Sequence, residues 1–127
     1  MKKILIADDD KNIRSVLKTE LTLEGYQVIL ATSGLEALRK IRDKTPDLVI
    51  LDIKMPGMHG LKALEEIRKE NKSLPIIICS AYEKMRDDYI VWASRVSGYL
   101  TKPLDFNRLK SMIKKSFEIP QRGDFNK

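Results

Sequence analysis

Leu48-Val49-Ile50-Leu51-Asp52-Ile53-Lys54-Met55-Pro56-Gly57-Met58-His59-Gly60 is the stretch from which the fold of this 127-residue chain is read. Four consecutive aliphatic residues are too short a run for a helix, and turn formers flank them, so Leu48 to Leu51 reads as a strand buried on both faces. A strand of that kind belongs to a parallel sheet covered by helices on both sides. Asp52 sits where it runs out. A lone carboxylate there is a helix cap, a turn former or a reacting group, and the strand by itself leaves all three open. The decision rests on what else reaches the same edge of the sheet.

Working outward, similar aliphatic runs occur at Ile4 to Ala7, Val28 to Ala31 and Ile76 to Cys79, with a weaker one at Tyr99-Leu100. Between and after them, apolar residues repeat at helical spacing: Ile13, Val16, Leu17 and Leu21; Ala37, Leu38 and Ile41; Leu61, Leu64 and Ile67; and Leu109, Met112 and Ile113. A shorter helical segment is expected over Asp87 to Ser94, where Tyr89 and Trp92 leave open whether the aromatic face packs inward or meets a partner. Turn chemistry supports the period. Gly25 stops the first helix, Ser33 caps the second, Pro46 and Pro75 precede strands, and Asp10 and Asp105 serve as caps. Five β-α units in succession give an α/β doubly wound parallel sheet with right-handed crossovers, and every strand then points its C-terminal end to one edge.

That edge collects Asp8-Asp9-Asp10, Asp52, Ser80-Ala81 and Thr101-Lys102-Pro103. Carboxylates crowded together stay ionised only with a cation among them, and an oxygen-only donor set that leaves room for water suits Mg²⁺. Such a site points to phosphoryl chemistry, with Asp52 as a carboxylate nucleophile and Lys102 and Ser80 as donors to the phosphoryl oxygens. No G-x-x-x-x-G-K-[ST] and no G-x-G-x-x-G is present, so nucleotide binding has no support.

Composition narrows the setting. The length suits one domain with its own core, expected over residues 1–118, and residues 119–127 form a polar C-terminal tail containing Pro120 and Gly123. The single cysteine, Cys79, lies in an apolar run and reads as a reduced packing residue, which together with the lack of a signal sequence or membrane span implies a cytoplasmic protein. A net charge of +6 raises nucleic-acid binding. The basic residues are mixed with acids, as in Glu65-Glu66-Ile67-Arg68-Lys69-Glu70, so solvated helix faces explain them better and no direct nucleic-acid or membrane binding is expected. His59 reads as a solvated turn residue, and Met55, Met58 and Met85 as core or rim filler.

Asp8-Asp9, Asp52 with Met55-Pro56-Gly57, Ser80-Ala81 and Lys102-Pro103, in this order, resemble the response-regulator receiver domains of two-component signalling, over roughly residues 2 to 117. The resemblance implies a CheY-like, flavodoxin-like three-layer fold with strand order 2-1-3-4-5. It implies phosphorylation of Asp52 by a phosphohistidine on a sensor histidine kinase or a histidine phosphotransfer protein. Mg²⁺ would be held by Asp8, Asp9, Asp52 and the backbone carbonyl of Lys54. Ser80 and Tyr99 match the switch pair, Lys102 the lysine at the site, and the Lys102-Pro103 bond is cis. Output is expected through the face built by the fourth helix, fifth strand and fifth helix, in a monomer or a transient dimer that promotes its own phosphorylation and dephosphorylation. Lys54 and Tyr82 resemble the stand-alone phosphorelay receiver of sporulation, where bulky side chains would shield the acyl phosphate. The pattern departs from the family at His59, usually Asp, and at Arg95-Val96-Ser97-Gly98, usually a Gly-Ala pair. Two rivals remain: a Mg²⁺-dependent aspartyl-phosphate phosphohydrolase, against which Lys54 stands where a second Asp is usual, and an unphosphorylated pseudo-receiver.

Overall fold

The computed structural model describes residues 1–54, 58–81 and 88–118, without the side chain of Ile90. Five parallel strands form its centre: β1 (Lys3–Ala7), β2 (Gln27–Ala31), β3 (Leu48–Leu51), β4 (Ile76–Ser80) and β5 (Gly98–Thr101). Helices α1 (Lys11–Leu23), α2 (Gly34–Lys44), α3 (Gly60–Glu70), α4 (Tyr89–Ala93) and α5 (Phe106–Glu118) alternate with them. The strand order is β2-β1-β3-β4-β5, as the family resemblance implies. Because β2 lies on one side of β1 and β3 on the other, the order reverses between β1 and β3, and this is where open sheets of this type bind ligands.

The strands are aliphatic throughout because each face meets a helix layer. Leu5, Ala7, Val49, Leu51, Ile76 and Ile78 point to the side covered by Ala37 and Leu38 of α2, Leu64 and Ile67 of α3 and Val91 of α4. Their alternates Ile4, Ile6, Leu48, Ile50, Ile77 and Cys79 meet Leu17 and Leu21 of α1 and Leu109 and Ile113 of α5. This is the strand period of two, used on both faces. Cys79 is buried and free, and burial pushes its thiol up to about 12, consistent with packing and not reactivity.

Local sequence sets the boundaries. Asp10 caps α1 by accepting from the Asn12 and Ile13 N–H groups, Ser33 caps α2 through the Glu36 N–H, and Asp105 accepts from the Arg108 N–H at the start of α5. Gly25 ends the α1 connection at φ 95°, a left-handed conformation that glycine adopts at little cost. His59 is no idle turn residue: its Nδ1 accepts the Leu61 N–H at 3.2 Å and caps α3. Val16 also departs from the expected buried stripe, being 44% exposed where α1 turns away from the core. The fourth helix is one turn shorter than expected. Its Tyr89 and Trp92 are 83% and 49% exposed, so this aromatic face does not join the core.

Candidate phosphoacceptor site

Three strand ends build the site. β1 delivers Asp8, whose N–H still bonds to the Ala31 carbonyl of β2 at 3.1 Å, and β3 delivers Asp52, whose N–H bonds to the Ala7 carbonyl of β1 at 2.9 Å. The ladder thus extends one residue past each strand and fixes both backbones beside the point where the strand order reverses. Both carboxylates are buried, at 3% and 5% exposure, while Asp9 stands exposed at the rim. One oxygen from each of Asp8, Asp9 and Asp52 lies within 4.8 Å of the others, close enough for one divalent cation to hold all three.

Beyond β5, Lys102 reaches back across the edge. Its Nζ donates to Asp8 Oδ2 at 2.8 Å and to Asp52 Oδ2 at 3.4 Å, and it follows a Thr101 that closes β5. The Lys102-Pro103 bond is cis. Ser80, wholly buried, ends β4 between β3 and β5, and its carbonyl accepts the Lys102 N–H at 2.8 Å. Tyr99 pairs with Ile78 in the β4–β5 register and is buried in the cluster that includes Val91 of α4, deeper than an edge-strand aromatic needs to be. The expected residues Asp8, Asp9, Asp52 and Lys102 therefore meet at one edge of the sheet, with Ser80 at the end of β4 and Tyr99 within β5. The exposed Lys54 follows Asp52, and its N–H donates to Asp52 Oδ1 at 3.3 Å. Met55, Pro56, Gly57, Tyr82 and Met85 lie outside the described residues.

Electrostatics leave the site short of positive charge. Burial raises the Asp52 carboxyl above its ordinary range and Asp8 raises it further; Lys102 and the Lys54 N–H act against this without cancelling it. For Lys102, burial is the largest single influence and lowers the ammonium, but its contacts with Asp8 and Asp52 together outweigh it and the net shift is upward. One ammonium serves several carboxylates.

Two contributors were not legible in the chain. Arg14 donates from Nη1 to the Asp8 carbonyl at 2.8 Å, locking the β1–α1 turn; the only available signal was a cation in the first turn of α1. The Asp10 N–H donates to Asp8 Oδ1 at 2.9 Å, aiming that carboxylate, which is a main-chain effect no side-chain pattern reveals. Gly60 is a third special position. Its N–H bonds to the Ile53 carbonyl at 2.7 Å, and a Cβ there would press into the Asp52 carbonyl and the Ile53 backbone.

An α/β sheet with a carboxylate cluster and a lysine at its switch point defines a class of acidic, cation-accepting sites. Residues 4–114 match the model of the response regulator receiver domain, and the chain belongs to that family. It is 46% identical to the response regulator protein TrrA from Thermotoga maritima, solved in complex with Mg²⁺-BeF, with a TM-score of 0.85 and coverage of 91% of this chain and 99% of that one. The same response regulator, solved with the histidine kinase ThkA, matches with a TM-score of 0.83, 46% identity and coverage of 91% and 98%. The transcriptional regulatory protein ZraR of Klebsiella oxytoca is 42% identical over 107 residues, which is 84% of this chain and 24% of that protein. The chain thus spans about a quarter of the length of the curated relatives it matches first. Among the described residues no helix is long and apolar enough to cross a membrane.

Proposed function

We propose that this receiver, spanning residues 1–118, accepts a phosphoryl group from a phosphohistidine onto a carboxylate oxygen of Asp52. The observation that carries the reading is the convergence of Asp8, Asp9 and Asp52 oxygens within 4.8 Å, with the Lys102 ammonium on two of the three carboxylates. An oxygen-only donor set with a shortage of positive charge fits Mg²⁺, which Asp8, Asp9, Asp52 and the Lys54 carbonyl would hold. Bound there, the ion neutralises charge on the phosphoryl oxygens.

In the transfer, an Asp52 oxygen forms a bond to phosphorus as the bond to the donor imidazole nitrogen breaks, and the imidazole takes a proton from solvent. Lys102, already between Asp8 and Asp52, meets a phosphoryl oxygen with its ammonium. The Lys54 N–H orients the attacking carboxylate. Aspartyl phosphate then adds charge and acceptor oxygens at the end of β3, and the Ser80 hydroxyl on neighbouring β4 turns toward them. Tyr99, packed under α4, follows into the space Ser80 leaves, which shifts a two-state equilibrium of the α4-β5-α5 face. The same groups serve self-phosphorylation from small donors and self-dephosphorylation, and Lys54 and Tyr82 lengthen the life of the acyl phosphate by shielding it from water.

The donor is a sensor histidine kinase or a histidine phosphotransfer protein in the cytoplasm. A largely apolar cleft of about 320 Å³ beside Lys102, lined by Ile13, Val16, Leu104 and Phe106, is where such a protein would seat. It also explains the exposure of Val16, since transfer requires the donor imidazole to dock within bonding reach of Asp52. Incubation with Mg²⁺ and acetyl phosphate should add about 80 Da to the intact mass of wild type and nothing to Asp52→Ala. A gain of equal size in Asp52→Ala, or none in wild type, refutes the assignment.

A further inference from the structure

A second concave site, remote from Asp52, lies between α3 and α4. It holds about 350 Å³ and is lined by Glu65, Arg68, Lys69, Lys72, Tyr89 and Arg95 among others. Four cations face one acid. Lys69 is spent on Glu66 at 3.1 Å, and among the described residues neither Lys72 nor Arg95 forms an ion pair.

Arg68 is the floor of this cavity, and among the described residues no carboxylate pairs with it either. It donates instead to three main-chain carbonyls, from Nε to Ser94 at 2.5 Å, from Nη2 to Arg95 at 3.2 Å and from Nη1 to Asn71 at 3.1 Å. A guanidinium carries five donors, so this arrangement leaves two N–H groups for a ligand. Burial first, and the facing charge of Arg95 second, bring Arg68 down to about 10. The fold therefore holds two like charges near each other, and among the described residues neither forms an ion pair. Arg95 adds a second oddity: it occupies φ 55° just after α4, a left-handed position where glycine or asparagine costs less. A strained backbone presents a guanidinium to a cavity already positive.

We propose that this α3–α4 cavity is a docking site for an acidic protein segment, whose carboxylate enters between Arg68, Lys72 and Arg95 while its backbone crosses exposed Tyr89. Planar guanidinium groups match a carboxylate in pairs of parallel hydrogen bonds, and arginine and tyrosine are the anchor types of protein interfaces. A polyphosphate backbone fits less well. The cations are grouped around a pocket and not in a stripe, and Glu65, Glu66 and Glu70 on the same helix would repel a run of phosphates.

The test uses the whole chain, ¹⁵N-labelled, titrated with a synthetic acetylated peptide of repeating Glu-Glu-Leu, its Lys-Lys-Leu counterpart, and a ten-nucleotide single-stranded DNA. Saturable shifts confined to the Arg68, Lys72, Tyr89 and Arg95 region are expected with the acidic peptide alone, weakening as salt is raised. Arg95→Gly removes the charge and relaxes the backbone, so it should melt at or above wild type while binding the peptide at least tenfold more weakly. Lys72→Glu, on an exposed loop, should weaken it similarly. Shifts absent up to millimolar peptide, unchanged affinity in both variants, or tighter binding of the DNA at these residues each overturn the proposal. Because Arg95→Gly leaves Asp52 untouched, its phosphorylation by acetyl phosphate should match wild type, which separates failure of this site from failure of the phosphoacceptor assignment.

Discussion

Asp52→Asn should make the metal-free protein more stable. The substitution keeps the shape of the side chain and removes one charge from a crowded, buried site. At an effective dielectric near 20, charges no more than 4.8 Å apart repel by at least about 3.5 kcal/mol, and a pair at 3.4 Å attracts by about 5 kcal/mol. Asp8 alone offsets most of the Lys102 attraction, and Asp9, screened at the rim, offsets part of the rest. The burial cost of the Asp52 carboxylate is left without compensation. Relief of such functional strain is typically worth roughly 0.5–2 kcal/mol, and 1 kcal/mol raises the Tm of a domain this size by about 4 °C.

The pH dependence has a definite sign. Because the folded-state pKa of Asp52 lies above its ordinary value of 3.8, the folded protein holds that proton more tightly than the unfolded chain does. Metal-free wild type should therefore lose stability, relative to Asp52→Asn, as pH rises from about 4 through the raised pKa. Mg²⁺ at ten times its Kd should stabilise wild type by about 1.4 kcal/mol and the variant by much less, closing the gap. Thermal melts in EDTA and in Mg²⁺, at pH 4 and pH 7.5, measure all of this. If Asp52→Asn melts below wild type in EDTA at pH 7.5, or if Mg²⁺ raises both melts equally, the electrostatic account is wrong.

Lys102→Met strands Asp8 and Asp52 without their counter-charge and should cost roughly 2–4 kcal/mol at neutral pH, less at pH 4, by urea denaturation. The Lys102 contribution itself should persist up to its ordinary pKa of 10.5 and fade as pH climbs through the raised folded value. His59→Asp replaces a long, exposed cap bond with a carboxylate at the positive end of α3 and should gain about 0.5–1 kcal/mol at pH 7, whereas His59→Ala should lose a similar amount; equal stabilities would refute the capping role. Gly60→Ala forces a methyl against the Asp52 and Ile53 backbone, so a loss of about 3 kcal/mol is expected in urea denaturation, together with slower uptake of phosphate from acetyl phosphate.

The parallel core was readable because buried strands are written in aliphatic runs: Leu48 to Leu51 forms β3 as expected. Edges were harder. β5 extends to Gly98 and Thr101, neither of them aliphatic, because the register with Ile77 and Ser80 of β4 supplies their bonds. The α4 segment misled in length, since one helical turn carries too few residues for a period to show, and its exposed Tyr89 and Trp92 mimic a buried stripe. In the site, the side-chain groups were legible because a doubly wound sheet sends every strand end to one edge. The Arg14 and Asp10 N–H contacts with Asp8 were not, as both depend on where main-chain carbonyls and N–H groups point after folding. His59 hid its capping role because histidine is an uncommon choice there and nothing around it marks a helix start.

The hydrogen bond from the Lys102 N–H to the Ser80 carbonyl rivets the tips of β4 and β5 together just where the chemistry ends. While it holds, the tips of the two strands move together. Under the switch proposed above, the signal then leaves this edge as a change of rotamer at Ser80 and Tyr99, carried on main-chain posts that stay in place.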